Sequence, residues 1–437
     1  MAPSVWAVLR RCSIVRRCVV AVALVVIALA VAGCNIATVV TSWAPDGKSV
    51  AYWSDGKLYV YDTATKESRA LKTDPDYVVA AAWSPSGKEI AFYGWAWGPQ
   101  EVVSLRLIDP GSGQIGRLAS DVWDLGLRTS STQAQTRSQR ETETEAPGGE
   151  ASVDFLMPFD GGPTALSWSP DGKRIAFVTS DGDRIAISIL DDAGNTVGHI
   201  EEDHMALMTP SWSPDGRRLA YAGIDMRAVS GPLEVRPKSR FVGQTEALPR
   251  TIRRGSQPKR AFPAAPLGSL WLYDVRSKTR ERICDLPSIT NGAPPTWSAD
   301  SIEIGFITVT ESGDSATACI VRAKSGGKIT DKITGIPESS AWAPGLKGLA
   351  VVEERGEGNH VLVYRTVRPV TRKVLGRIEV GAVTQNIARA AAGDYSSYCC
   401  DPTFSADGRQ VAVGLVETTG KGPRRPRISI VTFALAP

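Results

Sequence analysis

The chain has 437 residues, with 50 Lys and Arg against 46 Asp and Glu, a formal net charge of +4. Four of the basic residues (Arg10, Arg11, Arg16 and Arg17) precede Cys34, which leaves 46 against 46 beyond it. That balance excludes a global basic footprint for nucleic acid, and three histidines with seven cysteines at no zinc-like spacing argue against a His/Cys metal site and point to no cofactor.

The N-terminal arginines lead into an almost unbroken apolar run from Val19 to Ala32, with no acidic residue in the segment. A basic stretch followed by a short apolar core describes an export signal. A membrane-spanning helix needs about 20 apolar residues, more than this run supplies. It ends Val31-Ala32-Gly33-Cys34, which resembles the lipobox of bacterial lipoprotein precursors. The resemblance implies a lipoprotein signal peptide over 1–33, lipid on Cys34 and a short tether over 34–40. The remaining domain, 41–437, is then extracytoplasmic and anchored to a bacterial membrane. Asn35 gives no reason to predict retention in the inner membrane, so plasma and outer membrane both stay open. Cys12 and Cys18 would leave with the signal. Cys284, Cys319, Cys399 and Cys400 remain, an even number that permits one or two disulfides in an oxidising compartment.

Beyond the tether one word recurs. Trp43-Ala44-Pro45-Asp46-Gly47-Lys48 precedes Val50-Ala51-Tyr52, and Trp83-Ser84-Pro85-Ser86-Gly87-Lys88 precedes Ile90-Ala91-Phe92. Further copies start at Trp168 and Trp212, and weaker ones at Trp297, Trp342 and Phe404. Proline presets φ in a tight turn, aspartate bonds the local backbone, and glycine tolerates positive φ. The β-branched and aromatic residues that follow, alternating in period two, make an outgoing strand. A third strand then ends in aspartate, as in Leu58-Tyr59-Val60-Tyr61-Asp62 and Ile187-Ser188-Ile189-Leu190-Asp191.

This word resembles the propeller repeat of the TolB-type family, which also precedes the hydrolase domain of prolyl oligopeptidases. The WD40 signature proper does not recur, since Gly198-His199 and Trp123-Asp124 each occur once and in unrelated register. The resemblance implies an all-β fold, a seven-bladed β-propeller of four-stranded antiparallel blades. Successive aromatics lie 40, 85, 44, 85, 45 and 62 residues apart, whereas a blade takes about 40–45. The two long gaps read as disordered insertions, about 119–160 and 228–266, with eight blades as the alternative. The last copy offers three strands, so either that blade has three or the first boundary lies elsewhere.

The Pro-Asp-Gly turns join first to second strands and occupy one face of such a propeller. Both insertions, residues 381–400, Trp95 and Trp97, and Asp203-His204 map to the opposite face, with Trp95 and Trp97 in a loop. Two tryptophans in a Gly-rich loop would stack on a glycan, meet a partner, touch the bilayer or cover their own blade. The tether, too, enters from the long-loop face, which puts that face near the membrane. The second insertion carries Arg236, Lys238, Arg240, Arg253 and Arg254 among eight basic residues against two acidic ones, a candidate contact for anionic lipid.

Signals for catalysis are few. No Gly-x-Ser-x-Gly elbow occurs, and nothing after the seventh copy reads as a hydrolase domain. His204 beside Asp203 is the best acid–base candidate, and Asp181-Gly182-Asp183 lacks the remaining ligands of a calcium loop. The reading is a non-enzymatic binding or scaffold module engaging envelope proteins. The alternatives are a propeller that binds or cleaves envelope glycans, and a ligand-sensing lipoprotein that partners a membrane kinase. Replacing Cys34 with Ala is expected to abolish incorporation of radiolabelled palmitate. Retained label would mean that the lipid sits elsewhere.

Overall fold

The computed structural model describes residues 41–435, except 55, 74–76, 97–101, 124–165, 181–183, 204, 226–267, 287–292, 310–314, 338, 355–359, 379–394, 400 and 420–426. The described residues form β-strands, one short 3-10 turn at Pro344–Leu346 and no α-helix. No helix among them is long and apolar enough to cross a membrane.

Among the described residues the strands form five sheets, one of which joins twelve strands through two short parallel bridges. Taken by antiparallel pairing alone they group into successive units, here numbered 1 to 7, in a propeller-like arrangement. Unit 1 comprises β1 (Thr41–Trp43), β2 (Ser49–Ser54), β3 (Lys57–Asp62) and β4 (Ser68–Ala70). Unit 2 holds β5 (Tyr77–Trp83), β6 (Ile90–Ala96), β7 (Val102–Ile108) and β8 (Ile115–Trp123). Unit 3 holds β9 (Leu166–Trp168), β10 (Arg174–Ser180), β11 (Ile185–Asp191) and β12 (Thr196–Ile200). Unit 4 holds β13 (Met205–Trp212), β14 (Arg218–Asp225), β15 (Gly268–Asp274) and β16 (Thr279–Leu286). Unit 5 holds β17 (Thr296–Trp297), β18 (Glu303–Val309), β19 (Ala316–Arg322) and β20 (Ile329–Ile336). Unit 6 holds β21 (Ser340–Trp342), β22 (Leu349–Glu354), β23 (His360–Val367) and β24 (Val370–Ile378).

The last unit differs. Both β25 (Tyr395–Cys399) and β26 (Thr403–Phe404) pair with β27 (Gln410–Thr419), at opposite ends of it, and β28 (Arg427–Ala434) pairs on its other side. The sheet is therefore three strands wide, its innermost strand broken between Cys399 and Thr403. Another boundary departs from expectation: β8 continues through Trp123, so the insertion expected from 119 starts inside a strand. Val122 is buried, and Ala119 and Trp123 register with Leu105 and Val103, which keeps the segment in the sheet.

The repeated word acts twice, within its turn and between units. Within the turn, a buried serine bridges both ends. Ser169 Oγ donates to Asp171 Oδ1 at 2.5 Å and accepts the Arg174 N–H at 2.9 Å. Ser213, Ser298 and Ser405 do the same toward Asp215, Asp300 and Asp407 at 2.6 Å each. The aspartate in turn accepts a backbone N–H two residues on. At Gly172, φ is +69°, a conformation a Cβ disfavours. In unit 5 the same position is Ser301 at +62°, and its hydroxyl is used, accepting the Asp215 N–H of unit 4 at 3.3 Å.

Between units, the tryptophan indole donates backwards. Trp168, Trp212 and Trp297 Nε1 reach the carbonyls of Ala82, Ser167 and Ser211, each just before the matching tryptophan of the preceding unit, at 3.1–3.2 Å. Trp342 reaches Phe306 O at 3.3 Å instead. Trp43 of unit 1 reaches Thr403 O of unit 7 at 3.1 Å, and Thr41 and Thr403 hydroxyls also meet. A return contact runs forward. Arg174 donates to Gly216 O at 3.1 Å with its guanidinium 4.7 Å from the Trp212 ring centre. Arg218 bonds Ser301 O and stacks on Trp297, and Gln410 Nε2 donates to Gly47 O at 2.9 Å. Trp83 is the exception: its indole N–H is buried without a partner among the described residues, and its backbone N–H meets Ser42 Oγ instead.

The apolar core follows the same path. One cluster spans units 1 to 4, and others join units 4 and 5, 5 and 6, and 6 and 7. A fifth packs Trp43, Val50, Tyr52 and Tyr61 against Ala412 and Ile430. Contacts thus run through all seven units and return from the last to the first.

These bonds have measurable consequences. Trp212→Phe keeps most of the buried ring and loses the indole bond, an expected cost of about 1 kcal/mol. Trp212→Ala also opens a cavity and should cost about 3–5 kcal/mol, both read from urea denaturation. The serine hydroxyls of Ser169, Ser298 and Ser405 hold the carboxyls of Asp171, Asp300 and Asp407 below the ordinary aspartate range. A depressed native value stabilises the fold above the unfolded aspartate range, near about pH 4, and that stabilisation is lost as pH falls through the native values. Replacing the three serines with Ala should shrink the acid-induced drop in denaturation midpoint. An unchanged pH profile would contradict it.

Candidate partner-binding face

Strand direction decides which face is free. In each complete unit the first and third strands run one way and the second and fourth the other. Turns from first to second and from third to fourth strands therefore share one face. The remaining connections share the opposite one. Parallel bridges between Ser180 and Trp123, and between Ile185 and Ala206, keep this polarity from unit to unit. The 124–165 connection between β8 and β9 and the 226–267 connection between β14 and β15 both leave on that second face. The first face is filled by serine-bridged turns and the contacts between them.

Two features are built on the second face. The first is Tyr77 at the start of β5, 41% exposed. Its ring lies over the β2–β3 turn, where a Cβ on Gly56 would sit 2.0 Å from a ring carbon. The second is a charged junction between units 3 and 4. Arg184, just before β11, pairs with Glu201, while its Nη2 lies 4.0 Å from Asp203. His199 Nδ1 meets Ser188 Oγ at 3.0 Å, a direct cross-strand pair, and its Nε2 lies 3.5 Å from Glu201 Oε2. Arg280, near the turn-face end of β16, reaches across to hold Glu202 at 2.8 Å and also donates to Glu201 O, so the junction extends off the second face along the side of units 3 and 4. Burial, and then the Glu202 charge, raise the Tyr221 phenol well above its ordinary value. The junction offers an acidic connection braced by two arginines, with Asp203 projecting, its side chain 84% exposed.

The site residues expected from sequence are distributed unevenly. Asp203 belongs to the junction, and His204 lies outside the described residues. Trp95 is corrected: it lies in β6, registered between Tyr77 and Val103, and is only 3% exposed. Ladder pairing continues to Ala96 opposite Val102, so the residue is held in a strand and not in a loop. Trp97, Cys34, Arg236, Lys238, Arg240, Arg253 and Arg254 lie outside the described residues. Cys284 and Cys319 are free thiols, not a disulfide, and burial pushes the Cys284 thiol up to about 12. Cys399 falls in β25, and Cys400 lies outside the described residues. Sequence reading missed Tyr77, Arg184, His199 and Arg280. The acidic run beside His199 was visible, but Arg280 lies 79 residues from its partner Glu201, and no local pattern announces it.

No family model matches the chain, and no curated protein does. Solved structures do resemble it at a distance. TolB from Acinetobacter baumannii is 16% identical with a TM-score of 0.40, covering 79% of this chain, which spans 66% of that one, just under two thirds. A chain of a mitotic checkpoint complex is 14% identical with a TM-score of 0.48, over 91% of this chain and 86% of that one. A chain of Kuenenia stuttgartiensis hydrazine synthase is 13% identical with a TM-score of 0.47, over 92% and 98%. None transfers a function, and the fold stands on the sheet order and contacts described above.

Arg184 and Asp203 are both more than half exposed, so their ion pair should contribute under about 1 kcal/mol. Asp203→Asn is expected to leave the urea midpoint nearly unchanged. A loss well beyond that would make the junction structural in the first place.

Proposed function

We propose that this chain is a non-catalytic, seven-bladed β-propeller held at the outer surface of a bacterial membrane by lipid on Cys34. It binds envelope proteins through its long-connection face. The observation that carries this reading is polarity: both long connections leave on one face, while the other face is occupied by turns that hold the units together. Binding residues concentrate on variable connections over a rigid scaffold. Seven blades are supported by the return of contacts from Thr403 and Ala412 to Thr41 and Trp43. The lipid is supported by the sequence around Cys34. Tyr77 and Asp203 are the exposed groups offered to a partner, alongside whatever 124–165 and 226–267 contribute.

Photo-crosslinking residues introduced in cells at Tyr77 and Asp203, with Lys173 on the turn face as reference, test the reading. A protein captured reproducibly from Tyr77 or Asp203 but not from Lys173 is the expected result. Equal capture from all three, or capture of glycan only, would overturn it.

A further inference from the structure

The outer edges of units 5 and 6 form one surface that the proposed function does not use. Segments 322–336 and 365–378, the ends of the third strands with the following turns and fourth strands of these units, carry nine basic residues and a single acidic one, Asp331. Three acidic groups among the described residues here, Glu303, Asp331 and Glu353, are engaged by arginines. Arg368 spans the two units to reach Glu303 at 3.2 Å and also pairs with Asp331. Arg365 and Arg372 share Glu353 at 2.9 and 2.7 Å. The Arg368 bonds join the edges of the two units into one surface. Lys324, Lys328, Lys332 and Lys373, with Arg322 and Arg377, are exposed and have no ion-pair partner among the described residues.

Apolar groups collect at the same place. Of the five exposed large hydrophobics among the described residues, three are here: Ile329, Val370 at 80% and Val374. Lysines on an outermost strand commonly guard an open sheet edge. That role needs charge of either sign, and it does not call for exposed isoleucine and valine between the lysines. A soluble polyanion would need only the charges. Interleaved cations and aliphatic side chains instead match a bilayer interface with anionic headgroups, where each exposed cation contributes about 1 kcal/mol and apolar side chains enter the boundary layer.

We infer that the edge of units 5 and 6 is a docking surface for an anionic bilayer, on which the domain stands edge-on. This contact does not depend on lipid at Cys34. It differs from the face-down placement suggested by the short tether, and it leaves the long-connection face open to partners.

Lysine acylation of the full chain, quantified by mass spectrometry, tests the inference. The chain is mixed with vesicles of phosphatidylcholine alone or with added phosphatidylglycerol. Lys324, Lys328, Lys332 and Lys373 should lose reactivity at least about threefold on the anionic vesicles, relative to Lys88 and Lys173, and regain it at high salt. Val370→Ser combined with Val374→Ser should weaken that protection. Equal labelling on both vesicle types would overturn the inference. So would protection by soluble polyphosphate without protection by vesicles, which would assign the surface to a polymer. Failure to associate with either vesicle would overturn it too. Absence of crosslinked protein partners, by contrast, bears only on the long-connection face.

Discussion

Four of the seven joints rest on one repeated contact, an indole N–H from Trp43, Trp168, Trp212 or Trp297 donated backwards to the backbone carbonyl just before the preceding unit's own aromatic residue. The carbonyl it finds belongs to the first strand of the preceding unit, and a buried polar group left unpaired is costly. Each bond contributes only about 1 kcal/mol net, and it ties one sheet to the next. The forward contacts from Arg174, Arg218 and Gln410 close the same joint from the other side. Because Trp43 uses Thr403 in this way, the first and last units meet without a shared strand. The last unit can therefore remain three strands wide.

That joint also explains the division of labour between faces. The serine-bridged turn is both the cap of its own hairpin and the acceptor for the neighbour's side chain. In units 3, 4 and 7 Ser, Asp and Gly each satisfy a specific bond or backbone angle, whereas Ala44, Ser86, Ser301 and Ala343 stand at these positions in other units. Insertions are tolerated only where the connections carry no such duty, on the opposite face. Exposed charge at Asp203 and the partly exposed ring of Tyr77 lie on that face.

Much of this was legible in the residues. The Trp-turn-strand word located the first and second strands of all seven units, and a strand ending in aspartate located the third in units 1 to 4. The fourth strands were not legible, because Ser68–Ala70 and Val370–Ile378 carry exposed, polar edges with no alternating pattern. Serine's part in the turn was hidden as well, since a buried hydroxyl between an aspartate and a backbone N–H looks like any small polar residue in sequence. Trp95 misled for a related reason: the glycines around it suggested a loop, while the ladder and burial hold it in a strand. The edge of units 5 and 6 could not be read at all, for its two segments are brought together by Arg368 from more than thirty residues away.

Support of the first unit by the last is what closes the cycle of contacts. A chain ending at residue 402, lacking β26, β27 and β28, tests it by hydrogen exchange against the full chain. If contacts run in a cycle, amides of β1 and β2 lose protection together with those of β21 to β24, although β1 lies at the far end of the sequence. If loss is confined to unit 6 and unit 1 exchanges as before, the units stack in an open row, and closure between the first and last units is contradicted.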